Sequence, residues 1–146
     1  MASAPSGELY VAGDFTQAGA LAVNRIARWD GNNWSPLGSG PTNGLGGTVR
    51  ALVLNDAGEL FAGGRFTIAG GLAAKNIAKW NGQSWTALGE GLDGDVLALA
   101  TSGTDLYAGG GFFTASGLTV NNIARWDGTQ WNRVGAGITT PGPSAV

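Results

Sequence analysis

Apolar residues in this chain occur in short runs that are separated by clusters of glycine, asparagine, aspartate and serine. The runs at 48–54 and 95–100 alternate apolar and small or polar residues, and both end in turn-forming residues. Short alternating runs bounded in this way are typical of β-strands. No segment keeps a helical period over about ten residues. The pattern therefore predicts an all-β protein.

The predicted strands recur three times. In each copy Ile-Ala-Arg/Lys-Trp-Asp/Asn-Gly is followed by a second tryptophan five residues after the first, so all six tryptophans lie in these pairs. An earlier strand begins with a leucine 17 residues before the isoleucine (9 to 26, 60 to 77, 106 to 123). Self-similarity at such a period indicates a repeat architecture. The equal spacing indicates that the Gly/Ala-rich loop between these two strands has the same geometry in each repeat.

Each repeat contains four predicted strands. They are a Val-x-Ala-Leu strand, a Leu-Tyr-x-x-Gly strand, the Ile-Ala-Arg-Trp strand and a Trp-x-x-Leu strand. The Asp-Gly and Asn-Gly steps favour a tight hairpin between the last two. Four antiparallel strands in a repeat of this length predict a β-propeller blade. The chain is then a single three-bladed unit, 1–146, with blades at about 1–47, 48–94 and 95–146.

The order of these features resembles the kelch-type repeat. Its glycine doublet is matched at Gly63-Gly64 and Gly109-Gly110, whereas Ala12-Gly13 keeps only the second glycine. The Asn-Ile-Ala-Arg-Trp-Asp-Gly pattern is also similar to repeats of large extracellular bacterial proteins and fungal cell-surface propellers. The resemblance implies that the Val-x-Ala-Leu strand lines the central channel and that the Trp-x-x-Leu strand is outermost. It implies no particular function, because such propellers include enzymes, adhesins and adaptors.

Three blades are too few to close a ring, since propellers have about four to eight. We expect two copies to join head to tail in a six-bladed homodimer. The innermost strand at each junction would be split between residues Ser144 to Val146 of one copy and the start of the other. A trimer of nine blades is an alternative. The chain is also interpreted as an excised or engineered piece of a longer polypeptide, a reading compatible with self-closure.

Composition excludes several function classes. The formal charge is −2 and the eight basic residues are scattered, so nucleic-acid binding is not predicted. No apolar run approaches the roughly 20 residues of a membrane span, and the first residues do not resemble a signal peptide. The chain lacks cysteine and histidine, the source of thiolate ligands and the commonest general base. We predict no cofactor, no metal and no catalytic residue; the compartment is open, with a leaning toward an exported parent protein.

We expect a ligand to bind at positions where the three repeats have different residues. Asp14, Arg65 and Gly111 are equivalent residues at the end of the second strand. Asp93 and Asp95 flank Gly94, although their spacing fits no calcium motif. Loops of this kind gather on one face of a propeller, where ligands commonly bind. The predicted ligand-binding residues are Asp14, Arg65, Asp93 and Asp95.

Residues that recur in every repeat are interpreted as structural. The tryptophans could form a sugar-stacking platform, but a fixed place in each blade favours packing between blades. The cation before each first tryptophan could contact a ligand, but a stack on tryptophan or a carbonyl contact is predicted instead. Exchange of Asp and Asn in the turn favours turn geometry over chemistry. These cations and turn residues are Arg28, Lys79, Arg125, Asp30, Asn81 and Asp127.

The function predicted from these features is a non-enzymatic structural or interaction scaffold that assembles into a closed ring. The first alternative is a lectin-like propeller that binds glycans in shallow sites between blades. The second is an enzyme that acts on polysaccharides, which the lack of histidine and of a distinctive acid pair disfavours. The predicted partner is a second copy of the chain, and a glycan or another protein is the alternative.

Overall fold

The computed structural model describes residues 1–139 and contains three four-stranded antiparallel sheets, one for each repeat. The first repeat contains β1 (Ala2–Ser3), β2 (Leu9–Ala12), β3 (Gln17–Ala18), β4 (Leu21–Ala22), β5 (Ile26–Trp29) and β6 (Trp34–Pro36). The second, after a 3-10 turn at Gly40–Thr42, contains β7 (Thr48–Leu54), β8 (Leu60–Arg65), β9 (Ile68–Ala69), β10 (Leu72–Ala73), β11 (Ile77–Trp80) and β12 (Trp85–Ala87). The third contains β13 (Asp95–Ser102), β14 (Asp105–Gly111), β15 (Thr114–Ala115), β16 (Leu118–Thr119), β17 (Ile123–Trp126) and β18 (Trp131–Arg133).

Sheet order confirms the predicted all-β blades. The sheets run β1-β2-β5-β6, β7-β8-β11-β12 and β13-β14-β17-β18, so the Val-x-Ala-Leu strand and the Trp-x-x-Leu strand occupy opposite edges. Strands β7 and β13 also pack beside each other. Strand β1 takes the edge position in the first blade, where Ala2 and Ser3 pair with Tyr10 and Leu9. The rest of the predicted split strand, at Ser144 to Val146, lies outside the described residues.

The Gly/Ala-rich loop of each repeat forms a small hairpin that the sequence pattern did not predict as strand. The hairpins are β3–β4, β9–β10 and β15–β16. Strands of two residues are too short to show an alternating pattern. At the tip of the second hairpin Gly70 has φ 58°, and a Cβ there would lie 2.9 Å from the Trp85 ring. Glycine therefore lets the hairpin lie directly against Trp85, the first residue of β12.

The glycine doublet permits a bulge in the first strand of the second and third sheets, β7 and β13. Register shifts between Val49 and Ala51, and again between Val96 and Ala98, opposite the second glycine of the doublet. A Cβ on Gly110 would collide with the carbonyl oxygen of Asp95. Close backbone approach therefore requires the second glycine in the second and third repeats. In the first repeat a Cβ on Gly13 would meet only the Phe15 side chain, at 3.5 Å.

The hydrophobic core lies between blades. One cluster joins Tyr10, Ile26, Leu37 and Leu45 of the first blade to leucine, alanine and tryptophan side chains of the second. A second cluster joins the other face of the second blade to the third. Only the middle blade therefore has both faces covered by described residues.

Each junction between blades is also held by polar contacts. The indole Nε1 of Trp85 donates to the carbonyl of Leu37 at 2.8 Å, and that of Trp131 donates to the carbonyl of Leu88 at 2.9 Å. The linkers place Leu45 and Leu92 against Ala69 and Ala115 of the following hairpin as isolated β-bridges. Leu45 and Leu92 are 1% and 0% exposed. One geometry is therefore repeated at both junctions.

Candidate functional site

Two of the predicted ligand-binding residues contact each other. Arg65 Nε lies 2.8 Å from Asp95 Oδ1, and Arg50 approaches the other oxygen of Asp95 at 3.7 Å. The side chain of Arg65 is 75% exposed. These residues join the end of β8 to the start of β13, and an ion pair exposed to this extent contributes little to stability. Their binding role remains a prediction.

The other two predicted residues lie in separate contacts. Asp14 pairs with Arg25 in its own blade at 4.0 Å. Asp93 Oδ1 accepts hydrogen bonds from the backbone amides of Phe113 and Thr114 at 2.8 and 2.9 Å. Partial burial acts to raise the pKa of Asp93, but these amides outweigh it and the pKa is lowered. Asp93 therefore ties a linker to the next blade, and the four residues do not form one cluster.

The repeated cation pairs with a carboxylate, and the predicted stack on tryptophan or carbonyl contact is not what the structure shows. Lys79 Nζ lies 2.7 Å from Glu59, and this hydrogen bond, with a second from Asn55, lowers the pKa of Glu59. The partner acid stands just before or at the start of the second strand, 20 residues earlier and outside the Ile-Ala-Arg-Trp motif. The equivalent pairs are Arg28–Glu8 at 3.1 Å and Arg125–Asp105 at 3.4 Å.

The tryptophan pairs are packing elements where a neighbouring blade covers them. Ring centroids within a pair are 5.2 to 5.4 Å apart and tilted, a favourable aromatic arrangement. The four tryptophans of the second and third blades are between 3% and 9% exposed. Trp29 and Trp34 of the first blade are only half-buried. In residues 1–139 no other blade packs against this side of the first blade, and the geometry of the Trp29–Trp34 pair is close to that of the other two pairs.

The residue after each first tryptophan caps its hairpin turn. Asp30 Oδ1 accepts from the amides of Asn32 and Asn33 at 2.8 and 2.7 Å, and Asn81 and Asp127 make the same pair of contacts. The amides of Asn33 and Asn32 lower the pKa of Asp30. The amide of Gln130 is the largest cause of the lowered pKa of Asp127. An amide oxygen serves equally well at position 81, which identifies a turn role.

These lowered pKa values predict an acid-specific loss of stability. A carboxylate with a depressed folded pKa stabilises above its ordinary pKa, and this contribution is lost as pH falls through the folded value. We expect the free energy of unfolding to decrease as the pH is lowered below about 4. The variant Asp30→Asn/Asp127→Asn should fold and lose less stability on acidification, measured by urea unfolding from pH 7 to pH 3. An unchanged acid dependence would contradict the turn role.

The two end blades expose surfaces that are buried at the internal junctions. We define the leading face of the first blade by Leu9, Val11, Phe15, Trp29 and Trp34, which are all half-buried. Their equivalents in the second blade are all buried: Leu60, Ala62, Phe66, Trp80 and Trp85. The leading face is therefore the half of a blade junction that receives the preceding blade.

The trailing face of the third blade is the other half of such a junction. We define it by Tyr107, Ile123, Val134 and Ile138. Ile138 is held by its own blade as Leu45 and Leu92 are, because its amide donates to the Asn121 carbonyl at 2.8 Å. Its side chain is nevertheless 61% exposed. The equivalents of this face in the first two blades are at most 7% exposed: Tyr10, Ile26, Leu37, Leu45, Phe61, Ile77, Leu88 and Leu92.

Residues 1–139 hold no group of three or more acidic side chains arranged to bind a metal ion. The same residues contain no helix that is long and apolar enough to cross a membrane. The acidic side chains described above either accept hydrogen bonds from backbone amides or pair with cations. The leading and trailing faces are apolar surfaces whose equivalents are buried at the internal junctions.

Three four-stranded blades with their cores between them define a β-propeller fold. The family model of the Rax2 C-terminal beta propeller domain matches residues 1–142. The chain belongs to this family. No curated protein and no solved structure matches the chain. The kelch type inferred from the glycine doublet stays a prediction.

Proposed function

We propose that this propeller domain is a non-enzymatic interaction scaffold that closes into a ring through a second copy of the chain. The observation that carries the proposal is that its leading and trailing faces are the two halves of the junction already present twice inside the chain. Packing them head to tail would bury both, as the internal junctions bury theirs. A ring of two copies would contain six blades, within the usual range of about four to eight.

The first contact of this junction would join Ile138 to the first hairpin. Leu45 and Leu92 bridge to Ala69 and Ala115, and the equivalent residue of the first hairpin is Ala18. In a head-to-tail pair Ile138 of one copy would meet Ala18 of the other. Covering a largely exposed isoleucine contributes on the order of 1.5–3 kcal/mol.

The second contact would join Trp34 to Val134. The carbonyl of Val134 is equivalent to those of Leu37 and Leu88, which accept the indole hydrogen bonds of Trp85 and Trp131. Within residues 1–139 Trp34 Nε1 has no such acceptor. In the proposed ring the third blade of another copy would supply it. Donor and acceptor thus lie on opposite ends of the chain, as a head-to-tail contact requires.

The glycan-binding and polysaccharide-acting alternatives are not favoured by a specific observation. The tryptophan rings that could stack on a sugar are covered by neighbouring blades wherever a neighbour exists. Asp93 and Asp95 have the capping and ion-pairing contacts described above. An interaction scaffold is favoured because the leading and trailing faces are apolar and uncovered in the single chain.

Matched tryptophan substitutions test the proposal. Trp131→Phe removes an internal hydrogen bond and should lower the free energy of unfolding by about 1–3 kcal/mol at every protein concentration. Trp34→Phe makes the same change at the proposed interface and should raise the dissociation constant of the pair about tenfold. Urea unfolding of the dilute protein measures the change in unfolding free energy, and sedimentation equilibrium measures the change in the dissociation constant. An unchanged association constant for Trp34→Phe would contradict the proposed contact.

A further inference from the structure

One cavity lies at the junction of the first and second blades, where the linker differs from its equivalents. Leu37 and Leu45 are eight positions apart (37 to 45), whereas Leu88 and Leu92 are four apart (88 to 92). The additional residues form the 3-10 turn Gly40–Thr42 beside the second hairpin. They form part of the wall of an open cavity of about 370 Å³, whose lining includes Arg25, Pro41, Thr42, Gly44, Ile68 and Gly71.

Arg25 is the unusual residue of this cavity. It has φ 62°, and the equivalent residues Asn76 and Asn122 have φ 65° and 70°. Asparagine tolerates this left-handed conformation better than arginine does. The asparagines also donate well to the linker carbonyl, at 2.9 Å to Leu92 for Asn76, whereas Arg25 reaches Leu45 at 3.5 Å. Arginine at this position therefore breaks a local preference without a better internal contact.

The guanidinium of Arg25 also has unused hydrogen-bonding capacity. An arginine carries five N–H donors. Its described contacts are the 3.5 Å bond to Leu45 and a 4.0 Å approach to Asp14, whose side chain is 75% exposed. The Arg25 side chain is itself 37% exposed. Arg25 lines the cavity, and a planar guanidinium is suited to a carboxylate.

The remaining lining favours a peptide over a sugar. Side chains of Asn24 and Asn43 hold the loop by bonding to its own backbone, with Asn24 Nδ2 at 2.6 Å from the Asn43 carbonyl and Asn43 Nδ2 at 2.8 Å from that of Gly40. They are thus occupied, and no aromatic ring among residues 1–139 lines the cavity. Pro41 and Ile68 supply apolar surface, and Ile68 is 46% exposed.

We propose that this cavity binds the C-terminal carboxylate of a peptide whose last residue is aliphatic. Arg25 holds the carboxylate, and Ile68 and Pro41 contact the aliphatic side chain. Asp14 competes with the ligand for Arg25. The site does not depend on ring closure, because every residue in it belongs to one chain.

The test compares two cation-to-asparagine variants in the full chain. Arg25→Asn restores the residue of the other repeats, so it should fold with an equal or higher melting temperature. Lys75→Asn is the matched control. Lys75 lies one position before Asn76, the equivalent of Arg25 in the second repeat, and the other two repeats have asparagine there, Asn24 and Asn121. The probe is acetyl-Gly-Gly-Leu with a free carboxylate, followed through the amide resonances of Gly44, Gly46 and Gly71.

The proposal predicts saturable shifts with the free acid and none with its C-terminal amide. Arg25→Asn should weaken binding by about ten- to a hundredfold, whereas Lys75→Asn should not change it. Asp14→Asn should tighten binding. The proposal would be overturned by an absence of shifts up to about 10 mM peptide, by equal shifts with the amide, or by full binding to Arg25→Asn. Shifts with glucuronate but not with the peptide would assign the site to an acidic sugar and also overturn it.

Discussion

Replacing Gly110 by alanine is expected to destabilise the chain by about 3 kcal/mol, the cost of forcing a methyl group into a closely packed site. The added Cβ would collide with the Asp95 carbonyl at the bulge of β13. The backbone of that strand also carries pairing with β14, so it cannot move away without loss of the edge of the sheet. Urea unfolding followed by tryptophan fluorescence measures the change.

The adjacent glycine is the matched control for this substitution. A Cβ on Gly111 would meet no atom within 4 Å, and neither glycine has a positive φ. Gly111→Ala should therefore change the free energy of unfolding by less than about 0.5 kcal/mol. Equal effects of the two substitutions would show that the bulge does not depend on the second glycine of the doublet.

Ile138→Asp is expected to weaken association of two copies at least about a hundredfold. Ile138 would be buried against the partner's first hairpin, and an aspartate there would place an unpaired charge in an apolar contact. In the separated chain Ile138 is 61% exposed, so the folding of the chain should be little affected. The dissociation constant from sedimentation velocity gives the result.

Leu72→Asp is the control for that change, because Leu72 is also 61% exposed but lies in the second hairpin, away from both end faces. It should leave the dissociation constant unchanged. Equal weakening by both variants would indicate a general effect of added negative charge and would contradict the assignment of Ile138 to the interface.

Much of the architecture could be predicted because the same strand pattern appears three times. The spacing from leucine to tryptophan identifies β2, β5 and their equivalents. The hairpin inside each repeat could not be predicted in this way, since its two-residue strands have no period and its shape comes from contact with the outer tryptophan. Local pattern thus determines the long strands, and packing determines the short ones.

The site predictions were less informative than the fold predictions. Differences between repeats identified Arg65 and Asp95, which do contact each other, but not the position of Arg25. Arg25 could have been found by aligning the residue before each Ile-Ala-Arg-Trp strand, where the other repeats have asparagine. The ion pairs of Arg28, Lys79 and Arg125 were missed because their partners lie 20 residues earlier, just before or at the start of the neighbouring strand.

Absolute mass in solution, measured by light scattering on a sizing column, tests head-to-tail closure most directly. The account predicts a well-folded species of twice the chain mass of 14.7 kDa, at concentrations above its dissociation constant. A folded species that keeps the mass of one chain at all concentrations would contradict closure by a second copy. It would mean that the leading and trailing faces stay exposed to water in the isolated chain.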